Sequence, residues 1–489
     1  MGSLEKYFQQ FRKNIIGINS SFISPYGKKE IIYADWIASG RLYGPIEDRI
    51  RDEFGPFVAN THTETSETGT MMTYAYHYSH KIIKNHVNAG PEDVIITAGT
   101  GMTSVINKFQ RILGLKTQCK ILEKKKLDEE NRPIIFVTHM EHHSNQTSWY
   151  ETIADVVVLE PNKDLGVDLD ELEKQLKKYK KRKFKIGSFS ACSNVTGIKT
   201  PYHQMAKIIH RHGGICFVDF AASAPYTEIN MHPEDPEEQL DAIFFSPHKF
   251  LGGPGSSGVL IFNRDLYNSK APDHPGGGTV DWTNPWGKYK YIDDIELRED
   301  GGTPGFIQSF RAALSIKLKE KMGVQNMEER EKELTEKAFS LLEKVPGIKI
   351  LADHTRDRLG VLSFYIENVH YNLIVKLLSD RFGIQVRGGC ACAGTYGHYL
   401  LNVTYDQSKQ ITDKINKGDL SEKPGWVRLS LHPTMKDKEL EYIADGILKV
   451  AENIDTWAKD YEYSPSSNEF YFKKGPENKK EYFKKWFDI

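Results

Sequence analysis

The chain has 489 residues, a formal net charge of −1 and 27% charged residues. That length accommodates one large domain and a smaller one, and the balanced charge excludes a strong field for nucleic acid or an anionic membrane. No 18-residue apolar run marks a membrane span, the polar start Met1-Gly2-Ser3-Leu4-Glu5-Lys6 lacks the apolar core of a secretion signal, and five cysteines, an odd number, suit a reducing cytoplasm.

Taken in order, residues 1–30 read as a mostly helical, polar segment. Ile31-Ile32-Tyr33 predicts a short strand, and the small residues of Ala34-Asp35-Trp36-Ile37-Ala38-Ser39-Gly40-Arg41 suit a loop that lines a site or an ordinary turn. A helix near 45–54, a polar loop over 60–70 that holds His62, and a long helix near 71–88 come next. Asp93-Val94-Ile95-Ile96-Thr97 is a buried strand. It leads through Gly99-Thr100-Gly101-Met102-Thr103-Ser104 into a helix over 104–113. Glycines between a strand and a helix make an anion site from free amides and the helix dipole. Ser104 stands where a dinucleotide fingerprint has its third glycine, so that fingerprint is absent, and a phosphate monoester fits as well as any ligand.

Residues 116–132 read as a charged, solvated excursion. Strand 134–137 runs into Glu141-His142-His143-Ser144-Asn145. Adjacent side chains on extended backbone point to opposite faces, so two neighbouring histidines seldom chelate one metal. One imidazole at a strand's carboxyl end is better placed to stack on a flat ring. Strand 155–159, helix 168–180 and strand 184–190 follow. The last delivers Ser193-Asn194-Val195-Thr196-Gly197 into a loop. A helix over 201–211 leads to Ile215-Cys216-Phe217-Val218-Asp219. A carboxylate ending an apolar strand is costly unless it meets a cation, such as a protonated pyridine nitrogen; capping a helix is the other use of an aspartate there.

Strand Ala242-Ile243-Phe244-Phe245 then enters Ser246-Pro247-His248-Lys249, a glycine-rich loop and a further strand over 259–262. Small residues around Lys249 let backbone approach something bulky and flat. Desolvation there lowers the lysine pKa from about 10.4 and frees a nucleophilic amine. This is the layout of a lysine that forms a Schiff base with pyridoxal phosphate, although a surface turn with a solvated lysine shares the pattern. Helix and strand alternate from 93 to about 262, which predicts a mainly parallel sheet with helices on both faces. Ligands of such sheets bind beyond the carboxyl ends of the strands. Gly101, His142, Asn194, Asp219 and Lys249 all fall there.

Two glycine-rich loops, 275–280 and 298–305, precede helices over 305–321 and 326–345. Strands 348–351 and 360–366, helix 370–381, strand 384–387, strand 426–431 and helix 436–453 then form a second α/β layer. The domain boundary is expected near 325, and the aromatic, lysine-rich tail 461–489 has no assigned role. Val386-Arg387-Gly388-Gly389-Cys390-Ala391-Cys392-Ala393-Gly394 suits a mobile loop with a reactive thiol, with two buried structural thiols as the plainer alternative. No second pair of cysteines stands at zinc spacing. Arg387 at a strand end suits a bidentate carboxylate contact.

Together, Glu141-His142-His143-x-Asn145, Ser193-Asn194, Val218-Asp219, Ser246-x-His248-Lys249, Gly302-Thr303-Pro304 and Arg387-x-Gly389-x-x-Cys392 resemble the class V aminotransferase superfamily of fold-type-I pyridoxal phosphate enzymes, its cysteine desulfurase and selenocysteine lyase group above all. The resemblance spans roughly residues 30–455. It implies a large domain 31–325 built on a seven-stranded, mainly parallel sheet, and a smaller α/β domain 326–460. It also implies that Lys249 carries the cofactor as a Schiff base, Asp219 binds the pyridine nitrogen, His142 stacks on the ring, and Asn194 contacts cofactor or substrate. Gly101, Met102, Thr103, Ser246 and His248 would hold the phosphate, and Thr303 would reach the phosphate of the other subunit of a homodimer. Arg387 would take the carboxylate of a small amino-acid substrate. Cys392 would accept sulfur from cysteine, leaving alanine and an enzyme persulfide for a possible sulfur-acceptor protein, with Cys390 as the competing thiol.

The chain departs from the family at four points, one of them Cys390, which stands where the loop usually has histidine or another residue. Met102-Thr103 replaces a Thr-Thr pair, Ala222 replaces a glutamine, and the segment 394–425 is longer. An aminotransferase, another carbon–sulfur lyase acting on a modified cysteine, and a non-catalytic scaffold for sulfur transfer are the competing readings.

Overall fold

The computed structural model describes residues 4–117, 127–475 and 483–488. Parts of the charged stretch 116–132 and of the tail 461–489 lie outside the described residues.

The central sheet has seven strands. Their spatial order is Asp93–Ala98, Gly258–Asn263, Ala242–Phe245, Ile215–Asp219, Lys185–Ser190, Ile134–Thr138 and Asp155–Leu159. Gly258–Asn263 runs antiparallel to both neighbours and the remaining pairs are parallel. The reversal has a local cause. The lysine loop holds only the short 3₁₀ turn Pro247–Lys249, and without a crossover helix the next strand returns antiparallel. Both faces of the sheet are apolar, and residue parity sorts them. Ile134, Phe136, Phe189, Val218 and Ile243 pack into one core; Ile135, Val137, Phe217, Phe244 and Leu260 pack into the other. Each such side chain contributes about 1.5–3 kcal/mol by leaving water.

A second, antiparallel sheet has the order Ile348–Ile350, Val361–Ile366, Trp426–Ser430 and Arg387–Gly389. Its core includes Leu334, Phe364, Leu377 and Ile443, and the N-terminal Phe8, Phe11 and Ile15 belong to the same core.

Three elements differ from the sequence reading. Among the described residues of the first thirty, only Leu4–Arg12 is α-helical; Ser21–Ser24 and Gly27–Glu30 form a hairpin. Gly27 closes that turn at φ 89°, a left-handed conformation that glycine tolerates. The long helix spans Glu67–His86 and starts inside the expected loop, because Ser66 Oγ accepts the Gly69 N–H and caps it. The expected strand 384–387 is two pieces. Ile384–Gln385 pairs in parallel with Ile32–Tyr33, and Arg387–Gly389 joins the four-stranded sheet. In the tail, Tyr461–Ser464 and Glu469–Phe472 form a hairpin. It is tied down by Tyr461 donating to Asp380 at 3.0 Å and Asn468 donating to the Tyr371 hydroxyl at 2.7 Å.

Beneath the second sheet lies a buried acid. Glu331 is 4% exposed and accepts the Gly360 N–H at 2.9 Å. Burial pushes its pKa up to about 7. Between its unfolded value, about 4.3, and 7, the folded chain holds a proton that the unfolded chain releases. Stability is therefore lost as pH rises through this window. Glu331→Gln keeps the acceptor and removes the penalty. Its melting temperature is expected to exceed that of the wild type at pH 8, by an amount equivalent to roughly 3–4 kcal/mol, and to match it at pH 4. Thermal melts at the two pH values check this; an equal difference at both would refute it.

Candidate active site

A cavity of ≈ 220 Å³ opens beyond the carboxyl ends of the parallel strands. Asp219, the last residue of its strand, is buried in the wall. One carboxylate oxygen accepts the Ala221 N–H at 2.8 Å, so it caps a turn and not a helix. Burial pushes its pKa up to about 7, against the pull of Lys249. Lys249 ends the turn Pro247–Lys249 and also lines the cavity. Burial lowers its pKa to about 8, opposed by the charges of Asp219 and Asp35. Cavity and burial together hold an amine near neutrality beside an acid without full solvation.

The helix Met102–Ile112 points its N-terminus at the same cavity. Met102 N–H donates to Ser246 Oγ at 2.8 Å, Thr103 Oγ1 lies 2.6 Å from Ser144 Oγ, and His248 Nδ1 lies 2.9 Å from Thr100 O. Gly101 stands just behind this wall. A Cβ there would lie 2.9 Å from His248 Cε1, and one on Gly258 would lie 2.4 Å from the Gly101 carbonyl oxygen. The turn after the first strand, the lysine loop and the returning strand therefore pass too close for side chains.

His142 caps the helix His143–Tyr150, its Nδ1 accepting the Ser144 N–H at 3.1 Å. Burial, with the charge of Lys249, drives its pKa down to about 3, so a neutral ring lines the cavity. Beneath it, Glu141 is buried and accepts from Thr138 Oγ1, Ser190 Oγ and Asn145 Nδ2. These bonds fix the strand ends that carry His142 and Ser190. Asn194 Nδ2 donates to Ala391 O at 2.7 Å. Its Oδ1 is buried with no hydrogen-bond partner among the described residues. Such an acceptor costs about 1–3 kcal/mol unless a donor meets it.

Arg387 reaches the cavity, with its Nε 3.1 Å from Asp35 Oδ2. The other oxygen of Asp35 takes Arg428 Nη2 at 2.9 Å. Arg428 is almost fully buried, lines the cavity, and donates through Nη1 to Asn194 O. Of the two loop thiols, Cys392 lines the cavity and remains exposed, while Cys390 packs beside Tyr396 and Trp426. Thr303 lies away from the cavity in an exposed loop, donating to Asn60 Oδ1 at 3.4 Å.

Arg428, Cys192 and Ser190 line the cavity without having been singled out in the sequence. Arg428 had a signal: it is the charged residue in the middle of the fully buried strand Trp426–Ser430. Cys192 and Ser190 had none beyond their nearness to Asn194.

Residues 32–443 match the family model described as aminotransferase class-V. The chain belongs to the aminotransferase class-V family. A protein of Halalkalibacterium halodurans named "Probable cysteine desulfurase" is 29% identical over 369 residues, covering 74% of this chain and 84% of that protein. One of the same name from Staphylococcus epidermidis is 30% identical over 373 residues, covering 75% and 84%. Among solved structures, the apo cysteine desulfurase of Thermococcus onnurineus NA1 superposes with a TM-score of 0.73 at 23% identity, over 91% of this chain and 98% of that one. The cysteine desulfurase CsdA of Escherichia coli gives 0.70 at 20% identity, over 91% and 98%. The fold is that of fold-type-I pyridoxal phosphate enzymes.

Class-V aminotransferases depend on pyridoxal phosphate, and the cavity fits that group. Its buried acid at Asp219 lacks full solvation, its wall ends on a helix N-terminus, its amine is at Lys249, and Asn194 Oδ1 has no donor among the described residues.

Proposed function

We propose that the protein is a pyridoxal-phosphate-dependent cysteine desulfurase that converts L-cysteine to L-alanine and leaves a persulfide on Cys392. One observation carries this reading. Lys249, Asp219, His142, two arginines and the Cys392 thiol line a single cavity. The names of the relatives in Halalkalibacterium and Staphylococcus support it.

Bound pyridoxal phosphate supplies an electron sink for the bonding pair at the substrate's α-carbon. In our reading, Lys249 Nζ holds the aldehyde and then moves the α-proton; a pKa near 8 leaves enough free base for both tasks. Asp219 holds the proton of the ring nitrogen. Its pKa is raised by burial, which the nearby charge of Lys249 only partly offsets, so a ring cation would be welcome there. Neutral His142 covers the ring face. The N-terminus of helix Met102–Ile112, with Thr103, Ser246 and His248, receives the phosphate. Arg428 and Arg387, both steadied by Asp35, grip the substrate carboxylate. Cys392 Sγ, as thiolate, attacks the substrate sulfur. An S–S bond forms, the Cβ–S bond breaks with its electron pair left on carbon, and that carbon takes a proton.

We infer a homodimer working in the cytoplasm, with Thr303 reaching the partner's phosphate and a sulfur-acceptor protein relieving Cys392. Exposed Tyr74 and Tyr78 on Glu67–His86, and Trp282 and Trp286 near the hairpin Val280–Thr283 with Tyr289–Tyr291, support a covered surface. The free thiols of Cys192, Cys216, Cys390 and Cys392 support a reducing compartment. We also infer a division near residue 325 between domains 31–325 and 326–460. Helix Phe306–Met322 packs on Glu67–His86 and helix Val324–Leu342 on Asp437–Trp457.

The holoenzyme incubated with L-cysteine and a thiol reductant is expected to give alanine and sulfide in equal amounts. Pyruvate with ammonia in place of alanine would point to an eliminating lyase, and no product from cysteine would reject the reading.

A further inference from the structure

Cys392 stands on backbone that L residues seldom adopt. Ala391 has φ 50° and Cys392 φ 56°. Two consecutive left-handed residues without glycine persist only where surrounding contacts over-determine them. Asn194 supplies one contact, to Ala391 O. Two more come from His143 alone. Its backbone N–H donates to Cys392 O at 2.8 Å, and its Nε2 accepts the Gly394 N–H at 3.0 Å. Farther along, Thr395 Oγ1 donates to Gln146 Oε1 at 3.0 Å.

His143 lies outside the cavity wall, as the first residue of helix His143–Tyr150. Burial and the nearby charge of Lys423 lower its pKa. The ring is therefore neutral near pH 7, with the proton on Nδ1 and a lone pair free at Nε2. That lone pair suits a backbone N–H.

We infer that His143 is a positioning residue: a latch that clamps the turn 391–394 against the helix His143–Tyr150 and so sets the reach of the Cys392 thiol. This rests on Cys392 being the sulfur-accepting thiol. With the latch closed, the thiol borders the cavity. When the Gly394 N–H is released, the left-handed turn is free to relax and carry the thiol toward solvent and an acceptor. The ring of His143 is the half of the clamp that substitution can remove, because its backbone bond to Cys392 O survives any side-chain change.

The test is the rate at which iodoacetamide alkylates Cys392 in the holoenzyme, with the modified sulfur located by fragment mass spectra and melting temperature recorded alongside. His143→Ala is expected to raise that rate about tenfold, the effect of one lost hydrogen bond. In His143→Gln, Oε1 stands as many bonds from Cβ as Nε2 does in histidine, so the rate is expected to return near that of the wild type. In His143→Asn the acceptor is one bond short, and the rate is expected to follow His143→Ala. Equal rates in all four proteins, or His143→Gln as fast as His143→Ala at the same melting temperature, would overturn the latch. Should His143→Ala fail to fold, amide exchange in the wild type decides. Protection of the Gly394 N–H equal to that within helix Gly394–Leu400 supports the latch, and exchange at the rate of an open loop overturns it. Alkylation needs no turnover, so failure to release alanine from cysteine would reject the proposed function and still leave this result readable.

Discussion

The Lys249→Ala protein is expected to release alanine from L-cysteine at least about a thousandfold more slowly than the wild type. Four heavy atoms are lost, and with Nζ go both the nucleophile for the aldehyde and the base for the α-proton. The fold is expected to survive. Burial lowers the pKa of Lys249 to about 8, which means that the charged amine costs stability where it stands; the alanine variant should melt no lower than the wild type. Pyridoxal phosphate should still bind, held by Asp219, His142 and the phosphate cradle, but without a covalent link. Borohydride reduction followed by peptide mapping checks this: a pyridoxyl group at position 249 in the wild type, and none in the variant. Wild-type turnover in Lys249→Ala would remove the central residue of the proposal.

Cys392→Ser is expected to lower sulfide release by about a hundredfold or more, because an alcohol neither ionises near neutral pH nor accepts sulfur. Cys390→Ser should leave turnover within about twofold, since Cys390 packs beside Tyr396 and Trp426 and not on the cavity wall. A single turnover with L-cysteine, followed by mass analysis, should find the added sulfur at Cys392 alone. The reverse pattern, with turnover dependent on Cys390, would reassign the thiol.

Much of this site was legible in the sequence because its residues sit where period changes to turn. Asp219, Ser246 and Lys249 each follow a run of apolar strand residues, and the apolar runs are unambiguous because both faces of the sheet are buried. The parallel order of the sheet followed from the alternation, and its single reversal lies at a connection, 246–257, that lacks a crossover helix. Arg428 was passed over for a different reason. It lies 41 residues beyond Arg387, yet the pair Arg387↔Arg428 is in register across two strands and both meet Asp35. Cross-strand register is a tertiary fact that local pattern does not encode. The hairpin over residues 21–30 was missed because its strands are only four residues each and the second, Gly27–Glu30, is polar and mostly exposed, with little of the alternation that marks a strand.

Asp35 joins the two arginines from a segment that precedes the lysine by more than two hundred positions, and Arg428 follows it by nearly as many. On the ribosome, Lys249, Asp219 and His142 emerge well before the arginine that completes the carboxylate grip. At about 5–20 residues per second, the delay is roughly ten seconds or more. On the proposed reading, the residues of the cofactor cradle from His142 to Lys249 are thus synthesised before both arginines that would grip the substrate carboxylate.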